Sequence, residues 1–99
     1  VESDNAFEAP LPTEFGIETV YPNPFNPSTT ISVALPADAN LKVVVYNVNG
    51  QLVHLLADGN AAAGYHNFTF NADGLASGIY FVQAQSGSNV AMQKIMLVK

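Results

Sequence analysis

The side chains able to do chemistry in this chain are few and spread out. His54 and His66 are its two histidines; each lies on its own predicted strand with no carboxylate beside it in sequence, so a catalytic or metal role requires folding to bring them together. A pair of solvent-facing strand histidines is the plainer reading. Asn71-Ala72-Asp73-Gly74 holds oxygen atoms of the kind calcium takes, but a spaced series of carboxylates and a closing Glu are missing. That segment reads as an Asx-stabilised turn. Ala76-Ser77-Gly78 lacks the Gly two residues before Ser that a nucleophile elbow requires. Tyr21, Tyr46, Tyr65 and Tyr80 would stack on a sugar if they formed a flat exposed row; scattered among strands, they read as core or corner residues. No acid, base and nucleophile converge in the pattern, so the chain is expected to be non-catalytic, without cofactor or metal.

Composition narrows the classes further. Ninety-nine residues make one domain, and a domain of this size buries roughly 60–70% of the surface its unfolded chain exposes. The chain has no cysteine, which removes a disulfide framework and a thiolate metal site without excluding an extracellular address. Its net charge is −5, with Lys42, Lys94 and Lys99 as the three cations, a balance that argues against nucleic acid as a partner. No apolar run approaches the ~20 residues of a membrane helix and no basic-then-apolar signal peptide opens the chain. Val1 reads as a boundary inside a longer protein, and the domain is expected to be monomeric.

The elements that position these residues are strands. Residues 1–16 carry acids among Ala and Pro without a helical or alternating period, and read as a linker from a preceding domain. A short strand at residues 16–21 runs into Pro22-Asn23-Pro24-Phe25-Asn26-Pro27, where three prolines in six residues remove backbone donors and make a rigid edge or crossover loop. Phe25 is its expected anchor into the core. Residues 29–35 alternate, with Ile31, Val33 and Leu35 on one face. Residues 41–47 are more continuously apolar, as a strand in the middle of a sandwich should be. Asn49-Gly50 then predicts a two-residue type I′ hairpin. Residues 51–57 return antiparallel, residues 58–64 form a longer loop with a helix candidate at 59–63 too short to stand alone, and residues 65–71 alternate again. Residues 78–85 and 90–99 form a terminal hairpin about Ser86-Gly87-Ser88-Asn89, its second strand running to the final residue. Gly50, Gly74 and Gly78 stand at turns where positive φ is expected. Seven short strands with turns at regular spacing predict an all-β, seven-stranded antiparallel immunoglobulin-like β-sandwich; a partly closed barrel is the competing architecture.

Five segments in order carry a resemblance: Tyr21-Pro22-Asn23-Pro24-Phe25-Asn26-Pro27-Ser28-Thr29-Thr30-Ile31; the strand and turn Val43-Val44-Val45-Tyr46-Asn47-Val48-Asn49-Gly50; Gly64-Tyr65-His66; Leu75-Ala76-Ser77-Gly78-Ile79-Tyr80; and Gln93-Lys94-Ile95-Met96-Leu97-Val98-Lys99. Together residues 17–99 resemble the type A C-terminal sorting domain of the type IX (Por) secretion system, and are similar also to the immunoglobulin-like domain of flagellar hook-capping proteins. The resemblance implies a non-catalytic module of a larger exported protein, with a cargo domain N-terminal to it in the same chain. Its implied partners are an outer-membrane translocon and a sortase-like peptidase that joins the cargo to anionic lipopolysaccharide, and its implied address is secreted or at the cell surface of a Gram-negative bacterium. The family's motifs map onto Pro22, Asn23 and Pro24, onto Gly50, and onto Gly78, Tyr80, Lys94, Ile95, Leu97, Val98 and Lys99, the last seven as secretion-signal residues. Asn47 departs from the Asp that often follows the strand Tyr, and serves the same turn bonding.

A terminal apolar strand offers an edge that a partner reads by side-chain pockets and strand addition; Lys94 and Lys99 on it would otherwise blunt that edge against aggregation. Two other classes fit the composition: a carbohydrate-binding module, which would expose Tyr46, Tyr65 and Tyr80 on one face, and a fibronectin-like spacer, either within a secreted multidomain glycoside hydrolase or protease.

Overall fold

A computed structural model describes residues 11–99. Much of the predicted linker thus lies outside the described residues, and its described end is tied down: Phe15 packs against the core. Seven strands follow, β1 Gly16–Tyr21, β2 Ser28–Leu35, β3 Ala39–Asn47, β4 Leu52–Ala61, β5 Gly64–Asn71, β6 Gly78–Ser86 and β7 Asn89–Leu97. They form a three-stranded sheet ordered β1-β2-β5 and a four-stranded sheet ordered β4-β3-β6-β7, with every strand pair antiparallel. Two separate sheets make this the sandwich and not the barrel.

Period-two alternation decides which side chains meet between the sheets. Ile31 and Val33 of β2 cluster with Leu41, Val43 and Val45 of β3 and Val82 and Ala84 of β6, all buried, together with the rings of Phe70 and Phe25; Leu35 is buried as well. Their rings lie 5.8 Å apart at 55°, a tilted packing that suits the aromatic quadrupole. The predicted anchor is therefore a core residue, 2% exposed. Val44 is buried as well, although it points the other way, because β3 is flanked by β4 and β6.

Three local expectations change. The loop predicted at 58–64 is mostly strand: Asp58, Gly59, Asn60 and Ala61 pair with Lys42, Leu41, Asn40 and Ala39, so a sequence of low strand propensity is held by its partner's backbone ladder. Only Ala62 and Ala63 separate β4 from β5, with the Ala63 amide donating to Asp38 Oδ1 at 2.7 Å. The hairpin at Asn49-Gly50 is not type I′, which needs positive φ at both central residues; only Gly50 has it, at 80°. Gly50 N–H donates to Asn47 O and Asn47 N–H to Gln51 O, a three-residue loop ending in a left-handed glycine. Asn47 Oδ1 accepts from the Asn49 and Gln51 amides at 2.9 and 3.0 Å, so it bonds the turn as its position required. Finally, β7 stops at Leu97, and Val98 and Lys99 lie beyond the strand.

Candidate recognition site at the terminal strand

Two kinds of residue meet on β7. Ile95 and Leu97 point inward and are 1% exposed, opposite Tyr80 and Gly78 of β6. Lys94 and Met96 point outward, and Val98 and Lys99 are exposed past the strand end. Tyr80 is buried too, its hydroxyl donating to Ala76 O at 2.6 Å, which ties the start of β6 to the turn before it. Gly78, at φ 145°, makes the corner that a Cβ would strain. Of the predicted signal residues, then, Gly78, Tyr80, Ile95 and Leu97 shape the hairpin, and Lys94, Val98 and Lys99 present side chains to solvent.

The edge of β7 is where structure and expectation part. Prolines at 22, 24 and 27 leave the segment between β1 and β2 with backbone donors at Asn23, Phe25 and Asn26 alone. Phe25 N–H donates to Met96 O and Val98 N–H donates to Phe25 O, both at 2.9 Å. Asn23 extends the pairing through its side chain, Nδ2 donating to Lys94 O at 3.2 Å and Oδ1 accepting from Met96 N–H at 3.1 Å. Residues 22–27 thus lie as a strap along β7, with a parallel bridge between Phe25 and Leu97, and Thr29 Oγ1 donates to Pro22 O at 2.7 Å to hold the strap's start. The terminal edge expected to await strand addition is already paired from Lys94 to Val98. Asn23 and Phe25, far in sequence from Lys94, Met96 and Val98, lie beside them in the fold.

Sequence reasoning placed Phe25 in the core but missed its backbone partner. The available signal was the proline spacing, since a segment that pairs through isolated donors between prolines fits only a sheet edge.

The remaining candidates stay apart. His54, on β4, has its ring centroid 5.6 Å from that of Phe70, while His66, on β5, places Nε2 2.7 Å from Ala62 O and stacks on Phe68. His66 is half-buried, not solvent-facing as expected. Among the described residues no group of three or more His, Asp or Glu gathers as metal ligands would. Asn71 Oδ1 accepts from the Asp73 amide at 2.9 Å, the Asx turn that its sequence implied. Tyr46 and Tyr65 belong to different sheets and Tyr80 is buried, so these tyrosines form no sugar-stacking row.

None of the curated proteins matches the chain. The sequence profile of the secretion system C-terminal sorting domain does match, over residues 19–99, a span that begins within β1 and contains the strap and all of β2 to β7. The chain therefore belongs to the C-terminal sorting domain family, whose members act as sorting signals for type IX secretion and are not a catalytic family.

Proposed function

We propose that residues 17–99 carry an N-terminal cargo, through the linker of residues 1–16, to an outer-membrane translocon of a Gram-negative cell, and that a sortase-like peptidase then fixes the cargo at the surface. In this reading the translocon contacts Lys94, Val98 and Lys99, while Gly78, Tyr80, Ile95, Leu97 and the strap residues Pro22, Asn23 and Pro24 hold that end in one shape, and Gly50 shapes the hairpin between β3 and β4. The observation that carries the reading is the strapped terminal strand. Its hydrogen-bonding edge is occupied from Lys94 to Val98, which leaves side chains, and not strand addition, as the means of recognition there. Two of the chain's three cations lie at this end of an otherwise acidic domain, where they distinguish it electrostatically.

Lys94→Ala combined with Lys99→Ala tests this. Both side chains are exposed, so the change in stability should stay below about 1 kcal/mol. The double variant is expected to keep its circular dichroism spectrum while a fused cargo accumulates in the periplasm. Normal surface delivery of the folded variant would remove both lysines from the signal.

A further inference from the structure

The outer faces of the two sheets differ in kind. On the three-stranded sheet the outward rows are Tyr21, Thr30 and Thr69, then Thr19, Ser32 and Asn67, then Ala34 and Tyr65, mostly polar with two separated tyrosines, as a solvated face allows. On the four-stranded sheet one row across β4, β3, β6 and β7 reads Leu52, Tyr46, Phe81, Lys94, and the next reads Leu55, Val44, Gln83, Met92. Ile79 and Met96 extend the patch on one side, and Tyr46, Val48, Phe81 and Met92 line a common shallow depression. Leu52, Leu55 and Met92 are each about half exposed, at 51%, 49% and 57%. Apolar residues scattered singly on a surface mean little, but a contiguous face does.

Charge follows the same division. Lys94 sits within this face and Lys42 on its flank, opposite Asp58. The other described carboxylates, Glu14, Glu18, Asp38 and Asp73, lie on β1, before it, or in the turns that enter β3 and β6. Among the described residues, the more strongly apolar sheet face thus also holds two of the three cations, with Asp58 as its carboxylate.

We propose that the outer face of the four-stranded sheet, from Met92 on β7 across to Leu55 on β4, is the docking surface for a protein partner in export whose own contact surface is apolar and bears carboxylates opposite Lys94 and Lys42. The proposal rests on the sorting reading and extends it, because the recognised surface reaches three strands beyond the terminal motif. Area argues for a transient partner over a second copy. With strands ~4.8 Å apart and ~3.4 Å per residue, the apolar rows cover roughly 300 Å², well under the ~800 Å² per partner of a stable interface. Tyr, Phe and Met are the side chains that concentrate contact energy in small patches and adapt to a moving partner. A domain of net charge −5 makes an anionic membrane the poorer occupant.

The test uses a cargo carrying the whole chain, with surface delivery as the readout. Leu55→Glu, remote from the terminal motif, is compared with Thr69→Glu, which makes the same charge change on the opposite sheet. At equal melting temperature, Leu55→Glu is expected to lower delivery at least tenfold, and Thr69→Glu to leave it unchanged. Should Leu55→Glu itself unfold the domain, Met92→Glu on β7 and Lys42→Glu on β3 take its place. Delivery of a folded Leu55→Glu chain at the wild-type level, while Lys94→Ala with Lys99→Ala still fails, overturns the docking face and leaves the sorting reading standing; failure of the wild-type chain itself removes both. Two further measurements name the alternatives. A concentration-dependent dimer in sedimentation that Leu55→Glu abolishes would mean that a second copy covers the face, and binding to phosphatidylglycerol vesicles that Leu55→Glu abolishes would mean a membrane does. Either overturns the proposal.

Discussion

The strap makes a quantitative claim about what holds the terminal strand. It has two attachments of different physical kind: polar bonds from Asn23 at 3.1 and 3.2 Å in an exposed setting, and the Phe25 ring, 2% exposed against Phe70. Water replaces exposed hydrogen bonds at little cost, so Asn23→Ala should lose roughly 1 kcal/mol for the pair, a fall of about 4–8 °C in melting temperature for a domain of this size. Phe25→Ala removes a buried ring and leaves a cavity, for which about 3–5 kcal/mol is expected, much of a small domain's stability of roughly 5–15 kcal/mol. Urea denaturation of both variants measures the ratio. Hydrogen exchange adds the local signature: in Asn23→Ala the Met96 amide, which has lost its acceptor, should exchange about five- to tenfold faster, while the Val98 amide, bonded to Phe25 O at 2.9 Å, keeps most of its protection. An Asn23→Ala loss equal to or larger than that of Phe25→Ala would refute the view that burial anchors the strap.

Other expectations follow from single features. Gly50→Val places a β-branched residue at φ 80° and should lower stability by about 1–2 kcal/mol; an unchanged unfolding midpoint would show that the turn relaxes. Tyr80→Phe removes the 2.6 Å bond to Ala76 O and should cost about 1 kcal/mol with the fold retained, as read by thermal denaturation. Calorimetric titration with calcium should detect no micromolar site, and Asn71→Ala should then act on stability alone, through loss of the bond to the Asp73 amide.

What the sequence disclosed depends on whether the information is local. Ile31, Val33 and Leu35 announce their shared face by alternation, and Gly50 and Gly78 announce their turns by freedom of φ. Both signals live within a few residues. By contrast, Asp58-Gly59-Asn60-Ala61 carries every local mark of a loop and becomes strand because Ala39 to Lys42 supply a ladder for it, information that resides in another segment. Type I′ geometry at Asn49-Gly50 fails for a local reason that the Asn-Gly pair alone does not carry: Asn47 Oδ1 accepts from the Asn49 and Gln51 amides in a loop one residue longer. The signal site divides in the same way. Ile95 and Leu97 could be named from their spacing, but the bond from Asn23 to Lys94 joins residues 71 positions apart, and nothing in either segment alone points to the other. The apolar outer face is hidden for the opposite reason, since Tyr46, Phe81 and Met92 look like core until the strand order puts them on the far side.

The strap also sets an order of events in time. A ribosome makes Asn23 71 residues before Lys94, so for that stretch of synthesis Phe25 stands without the strand that receives its backbone. Long-range closures of this kind come late in folding, because the loop entropy is lost before the contacts repay it. Until Met96 O and Val98 N–H exist to meet Phe25, the segment between β1 and β2 has no partner edge. A chain interrupted before residue 94 would keep most of its strands and lack the closure. In this architecture the shape at β7 therefore certifies that the chain has been made through Val98, and a machine that recognises that shape would pass over chains interrupted before it.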